Sequence, residues 1–108
     1  MSEFEKRLEV MEQDKLYEYL LITALEGGSN YWVNTISTRS YSRMLKEGFI
    51  LTSEDCEYRI IPEDYNKSLL QLKERYGKIY QRIVEGTYDA NDADAWLQMM
   101  VFNEIIYG

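Results

Sequence analysis

The sequence predicts an α+β fold, mainly helical, in which four to five helices pack with one small antiparallel β-hairpin near residues 49–61. Three observations lead there. Apolar residues recur at helical spacing over most of the chain. Two short β-prone runs, Phe49-Ile50-Leu51-Thr52 and Tyr58-Arg59-Ile60-Ile61, flank a polar stretch, Ser53-Glu54-Asp55-Cys56, suited to a turn. One proline and six glycines among 108 residues leave few breakpoints, so elements are long and connections short. With 45% hydrophobic and 14% aromatic residues the chain can build a core, which argues against disorder. Its length suits a single domain spanning 1–108.

Taken in order, Ser2-Glu3-Phe4-Glu5 has the form of a capping box, followed by Phe4, Leu8 and Met11 at helical spacing. Glu12-Gln13-Asp14 offers an interruption, with Asp14 as a new N-cap. Tyr17, Leu20, Leu21, Ala24 and Leu25 continue one apolar face until Gly27 and Gly28 end it. Ser29 is placed to cap a short helix through Tyr31, Trp32, Val33 and Ile36. The Ser/Thr-dense stretch 35–43 reads as a loop running into a helical turn that closes at Gly48. Pro62, with Glu63 and Asp64, opens a helix whose face Tyr65, Leu69, Leu72, Tyr76, Ile79 and Ile83 runs to Gly86. Asp89 or Asn91 caps the last helix. That helix, carrying Trp96 and extending towards Tyr107, is apolar on nearly every side, so it is central to the core or partly buried in a partner. Homodimerisation, or a higher homo-oligomer, is the corresponding expectation.

Composition excludes several chemistries. A balance of 19 acidic against 12 basic residues gives a net charge of −7, which argues against direct binding of duplex nucleic acid. No apolar run approaches a membrane span, and the charged start of the chain has no signal-peptide character. With Cys56 as the lone cysteine, a reducing cytoplasm is the expected compartment. The absence of histidine removes Cys/His zinc sites and His-dependent nucleophile pairs. Gly27-Gly28 lacks Walker spacing. Asp89-Ala90-Asn91-Asp92-Ala93-Asp94 lacks the central glycine and far glutamate of a calcium loop, and reads as capping chemistry rather than a metal site. No cofactor is implied. Glu26 and Glu104, both among apolar neighbours, are the only carboxylates to weigh for acid–base work. Nothing near them supplies a nucleophile or an oxyanion hole, so a non-enzymatic role is expected. Cys56, in an acidic turn, is not expected to be a reactive thiolate.

Binding remains. Ten tyrosines exceed what a core of this size needs, and arginines are interspersed among them: Arg39 and Arg43 flank Tyr41, and Arg59 follows Tyr58. Arginine forks hold phosphate and aromatic faces stack on bases, so such a cluster suits a nucleotide-like ligand despite the net charge. The competing reading is cation–π and salt-bridge decoration of helix surfaces. The group around the glycine bend, Asn30, Tyr31, Trp32, Arg39, Tyr41 and Arg43, is the candidate ligand site. Gly27 and Gly28 supply the bend, and Trp32 also suits the core.

The stretch Ala24-Leu25-Glu26-Gly27-Gly28-Ser29-Asn30-Tyr31-Trp32, followed by Asp92-Ala93-Asp94, Leu97-Gln98, Phe102 and Glu104-Ile105-Ile106-Tyr107-Gly108, resembles a group of small proteins of unassigned function. These are encoded by tailed bacteriophages and prophages. The two motifs cover about a quarter of the chain, and Asn103 stands where many members of the group carry glycine. The resemblance implies an accessory protein of the host cytoplasm, neither virion component nor replication enzyme, and by association one that acts on host defences. Two functions follow as expectations. One is sequestration of a nucleotide-like immune signal in the Arg/Tyr/Trp cluster. The other is inhibition of a host defence protein, such as a CRISPR effector, by an acidic, Tyr-rich surface that includes Glu54-Asp55-Cys56-Glu57. The resemblance also pairs the bend with the C-terminal segment as packing partners.

Overall fold

A computed structural model describes residues 2–108, without the side chains of Phe4 and residues 6–10. The expected apolar roles of Phe4 and Leu8 therefore lie outside the described residues. The elements are α1 (Glu3–Thr23), a π-helical turn (Ala24–Gly28), β1 (Thr35–Ile36), α2 (Tyr41–Glu47), β2 (Phe49–Ser53), β3 (Cys56–Ile60), α3 (Glu63–Arg75), α4 (Gly77–Glu85) and α5 (Ala90–Phe102). The α+β class holds, with the expected hairpin in place. Among the described residues no helix is long and apolar enough to cross a membrane.

Ser2 caps α1 by accepting from the Glu5 amide. The interruption expected at Glu12-Gln13-Asp14 does not occur. Those three side chains point to solvent and the helix runs through them, because exposed Glu and Gln are good helix formers and Asp14 meets no competing turn. Nor do the glycines stop the chain at once. The helix widens over Ala24–Gly28, and the Ser29 amide reaches back five residues to the Ala24 carbonyl at 2.8 Å. The expected short helix through Tyr31 and Ile36 is instead a turn and a third strand. Thr35 and Ile36 pair with Thr52 and Leu51, so the hairpin becomes a three-stranded antiparallel sheet of order β1-β2-β3. β-Branched residues at 33, 35 and 36 favour that outcome.

The hairpin turn is made by Glu54 and Asp55, both left-handed at φ 49° and 67°. Such a turn matches the twist of its strands, although Asn-Gly is the usual sequence for it. Ser40 caps α2, and Gly48 at φ 77° closes it. The helix expected to run from Pro62 to Gly86 is broken at Tyr76, whose backbone leaves the helical region (φ −139°, ψ 63°). The break reorients the apolar stripe: Tyr65, Leu69 and Leu72 face the core from α3, and Ile83 reaches it from α4.

The core sits where α1, α3 and α5 meet under the sheet. Every residue of α5 between Asp92 and Met99 is buried, so this helix is the centre of the molecule. Trp96 stacks on Tyr17 at 6.2 Å and donates its indole N–H to the Tyr65 carbonyl. Tyr65 in turn donates to the Met44 carbonyl, and Tyr17 to Asn66 Oδ1. Part of the tyrosine surplus is therefore structural, each buried ring having its hydroxyl satisfied. α5 does not extend to Tyr107. It ends at Asn103, which takes the left-handed cap at φ 60°, a conformation that asparagine tolerates next best to glycine.

Candidate functional site

The bend is built on close approach. A β-carbon on Gly28 would overlap the Ala90 carbonyl oxygen and lie 3.1 Å from its carbon, whereas one on Gly27 would meet nothing within 4 Å. Gly28 thus lets residues 27–32 lie against the first turn of α5. Asp89 fixes that turn through a reciprocal capping box with Asp92.

Asp94, one turn further along, receives the bend. Its Oδ1 accepts from Ser29 Oγ and Trp32 Nε1, each at 2.7 Å, and its Oδ2 accepts from Tyr31 Oη at 2.6 Å and Gln98 Nε2 at 2.9 Å. Gln98 then reaches the C-terminal segment. Its Oε1 accepts from the Ile106 and Tyr107 amides, and its Nε2 also donates to the Tyr107 carbonyl. The Tyr107 ring stacks on Trp32 at 5.9 Å, with Phe102 against both. The two sequence motifs therefore form one network: the bend and the C-terminal segment are packing partners through Asp94 and Gln98. Tyr31 leaves much of its ring in solvent, at 58% exposure, while its hydroxyl is held. Loss of hydration and then the bond to Asp94 push that phenol up to about 12.

Two clefts flank this network and divide the candidate site. One, of 380 Å³, is lined by Leu25, Glu26, Asn30, Val33, Asn34, Thr35, Ile36 and Arg39. Tyr41 stands beside it, its phenol raised by burial and then by the facing Glu26 carboxylate, with Arg39 acting in the opposite sense. The other, of 350 Å³, contains Tyr31, Asp94, Gln98 and Tyr107 together with Arg82 and Asp92. Of the six candidate residues, Asn30, Arg39 and Tyr41 come together around the first cleft. Tyr31 belongs to the second, Trp32 is 5% exposed and part of the core, and Arg43 is taken up by Glu47 at 3.3 Å on α2. Tyr31 keeps its ring exposed, while Asp94 claims its hydroxyl.

Glu26 and Glu104 are exposed rather than surrounded by apolar groups, so neither is a desolvated carboxylate. Among the described residues the buried carboxylates are Asp92 and Asp94. Asp92 is gripped bidentately by Arg82 at 2.7 and 2.8 Å, which lowers the carboxyl below its usual range and raises the guanidinium. Sequence reasoning read the aspartate run as capping, which is true of Asp89 and Asp92. It missed Asp94 and Gln98 as polar hubs. The available signal was their presence, four apart, in the most apolar helix, since buried polar groups there require partners. Among the described residues no group of acidic or sulfur ligands could hold a metal ion.

No protein-family model, curated protein or solved structure matches the chain.

In the first cleft three side-chain donors are unclaimed. Among the described residues, the side chain of Asn30, Asn34 Nδ2 and the Arg39 guanidinium have no hydrogen-bond or ion-pair partner, while Asn34 Oδ1 accepts from the Glu54 backbone amide. Leu25, Val33 and Ile36 give the same cleft apolar surface.

Proposed function

We propose that this protein is a non-catalytic binding protein whose Arg39 cleft holds a nucleotide-like ligand. The observation carrying the proposal is the set of uncommitted donors, Asn30, Asn34 and Arg39, set among Leu25, Val33 and Ile36 in a cleft of 380 Å³. Polar groups predominate in the cleft, with Leu25, Val33 and Ile36 as its apolar part, a lining suited to a charged, hydrogen-bonding ligand. Arg39 suits an anionic phosphate, and Glu26 beside Tyr41 suits a donor such as a sugar hydroxyl or an exocyclic amine. The resemblance to phage accessory proteins supplies the context: sequestration of a nucleotide immune signal in the host cytoplasm.

Calorimetry with mononucleotides, cyclic oligonucleotides and ADP-ribose derivatives tests the reading. Heat from one of them, weakened about tenfold or more by Arg39→Ala, is expected, as removal of a charge-assisted bond of roughly 1.5–3 kcal/mol requires. No heat from any of them overturns it. A second reading has its own observation: Glu54, Asp55 and Glu57 are all exposed around the hairpin turn, an acidic projection suited to a basic host effector. Capture of such an effector from host lysate at low salt, lost on Glu54→Lys/Asp55→Lys, would favour inhibition over sequestration.

A further inference from the structure

β3 is an edge strand, and its hydrogen-bonding geometry follows from the other two strands. The Asn34 amide donates to the Thr52 carbonyl and the Ser37 amide to the Ile50 carbonyl, each at 2.8 Å, so the even-numbered residues of β2 serve β1. The odd-numbered ones, Phe49, Leu51 and Ser53, serve β3 through their partners Ile60, Tyr58 and Cys56. Glu57 and Arg59 are left with their N–H and C=O groups pointing away from the sheet. Among the described residues nothing pairs with those groups, and both side chains are exposed. An open edge of this kind is a template for another strand.

We propose that β3 pairs antiparallel with β3 of a second copy, about a two-fold axis at Tyr58, to make one continuous six-stranded sheet across a homodimer. The occupant is decided by charge. A self-pairing that sets outward donors against outward acceptors has three centred registers. One opposes Glu57 to Glu57, one opposes Arg59 to Arg59, and one opposes Glu57 to Arg59. Only the last avoids like charges, and it does so twice, because the axis generates the second pair. In that register Glu57 and the partner's Arg59 form a hydrogen-bonded pair, exchanging N–H···O bonds in both directions, and their side chains meet on the outer face. The inner face brings Tyr58 against its own copy. A strand bearing like charges at 57 and 59 would have no favourable self-register.

The test uses the full chain and sedimentation velocity over a concentration series, with far-UV circular dichroism to verify folding. The wild type is expected to dimerise. Glu57→Arg and Arg59→Glu each place like charges opposite one another twice and should weaken self-association by about tenfold or more. The two single variants mixed together should recover a heterodimer, as should the double swap with itself, because opposite charges again face one another. A wild type that stays monomeric overturns the proposal. So does a dimer that both single variants leave intact, which would place the interface elsewhere. Loss of dimer in the single variants without recovery on mixing would also refute the register. Both side chains are solvent-exposed, so folding of the variants is expected, and the mixing arm reads pairing independently of the stability of either variant.

Discussion

Replacing Asp94 by alanine removes the acceptor of four donors, and the structure says which of them suffer. Ser29 is fully buried and the Trp32 indole nearly so, and both bond only to Asp94 Oδ1. Each orphaned buried donor costs about 1–3 kcal/mol. Tyr31 can turn its hydroxyl to water, and Gln98 keeps the Tyr107 carbonyl, so these two add little. The expected loss is about 2–6 kcal/mol, against a total of about 5–15 kcal/mol for a domain of this kind. Asparagine should cost less, and for a specific reason. Its carbonyl must occupy the Oδ1 position to satisfy Ser29 and Trp32, which puts its NH₂ group where Oδ2 lies. Tyr31 can rotate to accept from that group. Gln98 cannot, because its own carbonyl oxygen is committed to the Ile106 and Tyr107 amides. One donor–donor conflict remains, worth about 1–2 kcal/mol. Urea unfolding followed by tryptophan fluorescence reads both variants. An alanine variant within about 1 kcal/mol of the wild type, or an asparagine variant as unstable as alanine, would refute the assignment of Asp94 as the joint of the fold.

Three further outcomes follow from the same geometry. Gly28→Ala should lose about 1–3 kcal/mol by forcing the bend off Ala90, whereas Gly27→Ala should be neutral or stabilising by up to about 1 kcal/mol; equal effects in thermal melts would contradict the close approach. The Tyr31 phenol is raised from 10.0 to about 12, so the folded state holds its proton more tightly than the unfolded chain. Its contribution to stability is therefore complete below pH 10 and is lost as pH rises through 12, and Tyr31→Phe should make the alkaline loss shallower, while Tyr17, Tyr41, Tyr58, Tyr65 and Tyr107, also raised, keep their own share of it. Asp55→Gly should stabilise by about 1 kcal/mol, since a left-handed residue other than glycine carries roughly that strain, and a decrease in melting temperature would count against the turn geometry.

Much of the architecture is legible in the residues. The capping at Ser2 and Asp89, the closure at Gly48, the hairpin between Phe49 and Ile60 and the central place of α5 all follow from local chemistry and periodicity. The misreadings share a cause: local preference was overruled by what the segment packs against. Residues 33–36 satisfy a helical spacing, yet β2 offers them an edge with unpaired carbonyls. Tyr76 lies on a regular stripe, yet α4 must turn for Ile83 to reach the core. For the candidate site the limit is sharper. Sequence places Tyr31, Trp32 and Arg39 within a few positions, but the alternation of an extended turn sends neighbours to opposite sides. Only a knowledge of where Asp94 sits separates the committed rings from the free guanidinium.

The bonds from the bend to Asp94 and Gln98 join residues 62 to 67 positions apart in the chain. Closing so long a loop is entropically slow, and no helix or hairpin can form these links locally. The bend and the C-terminal segment therefore gain order together, late in folding, once α5 has docked. By the same reasoning they open together as one cooperative unit. Exchange of the Ile106 and Tyr107 amides with solvent then reports the moment at which Trp32 is released, although no covalent path shorter than the whole helical body connects them.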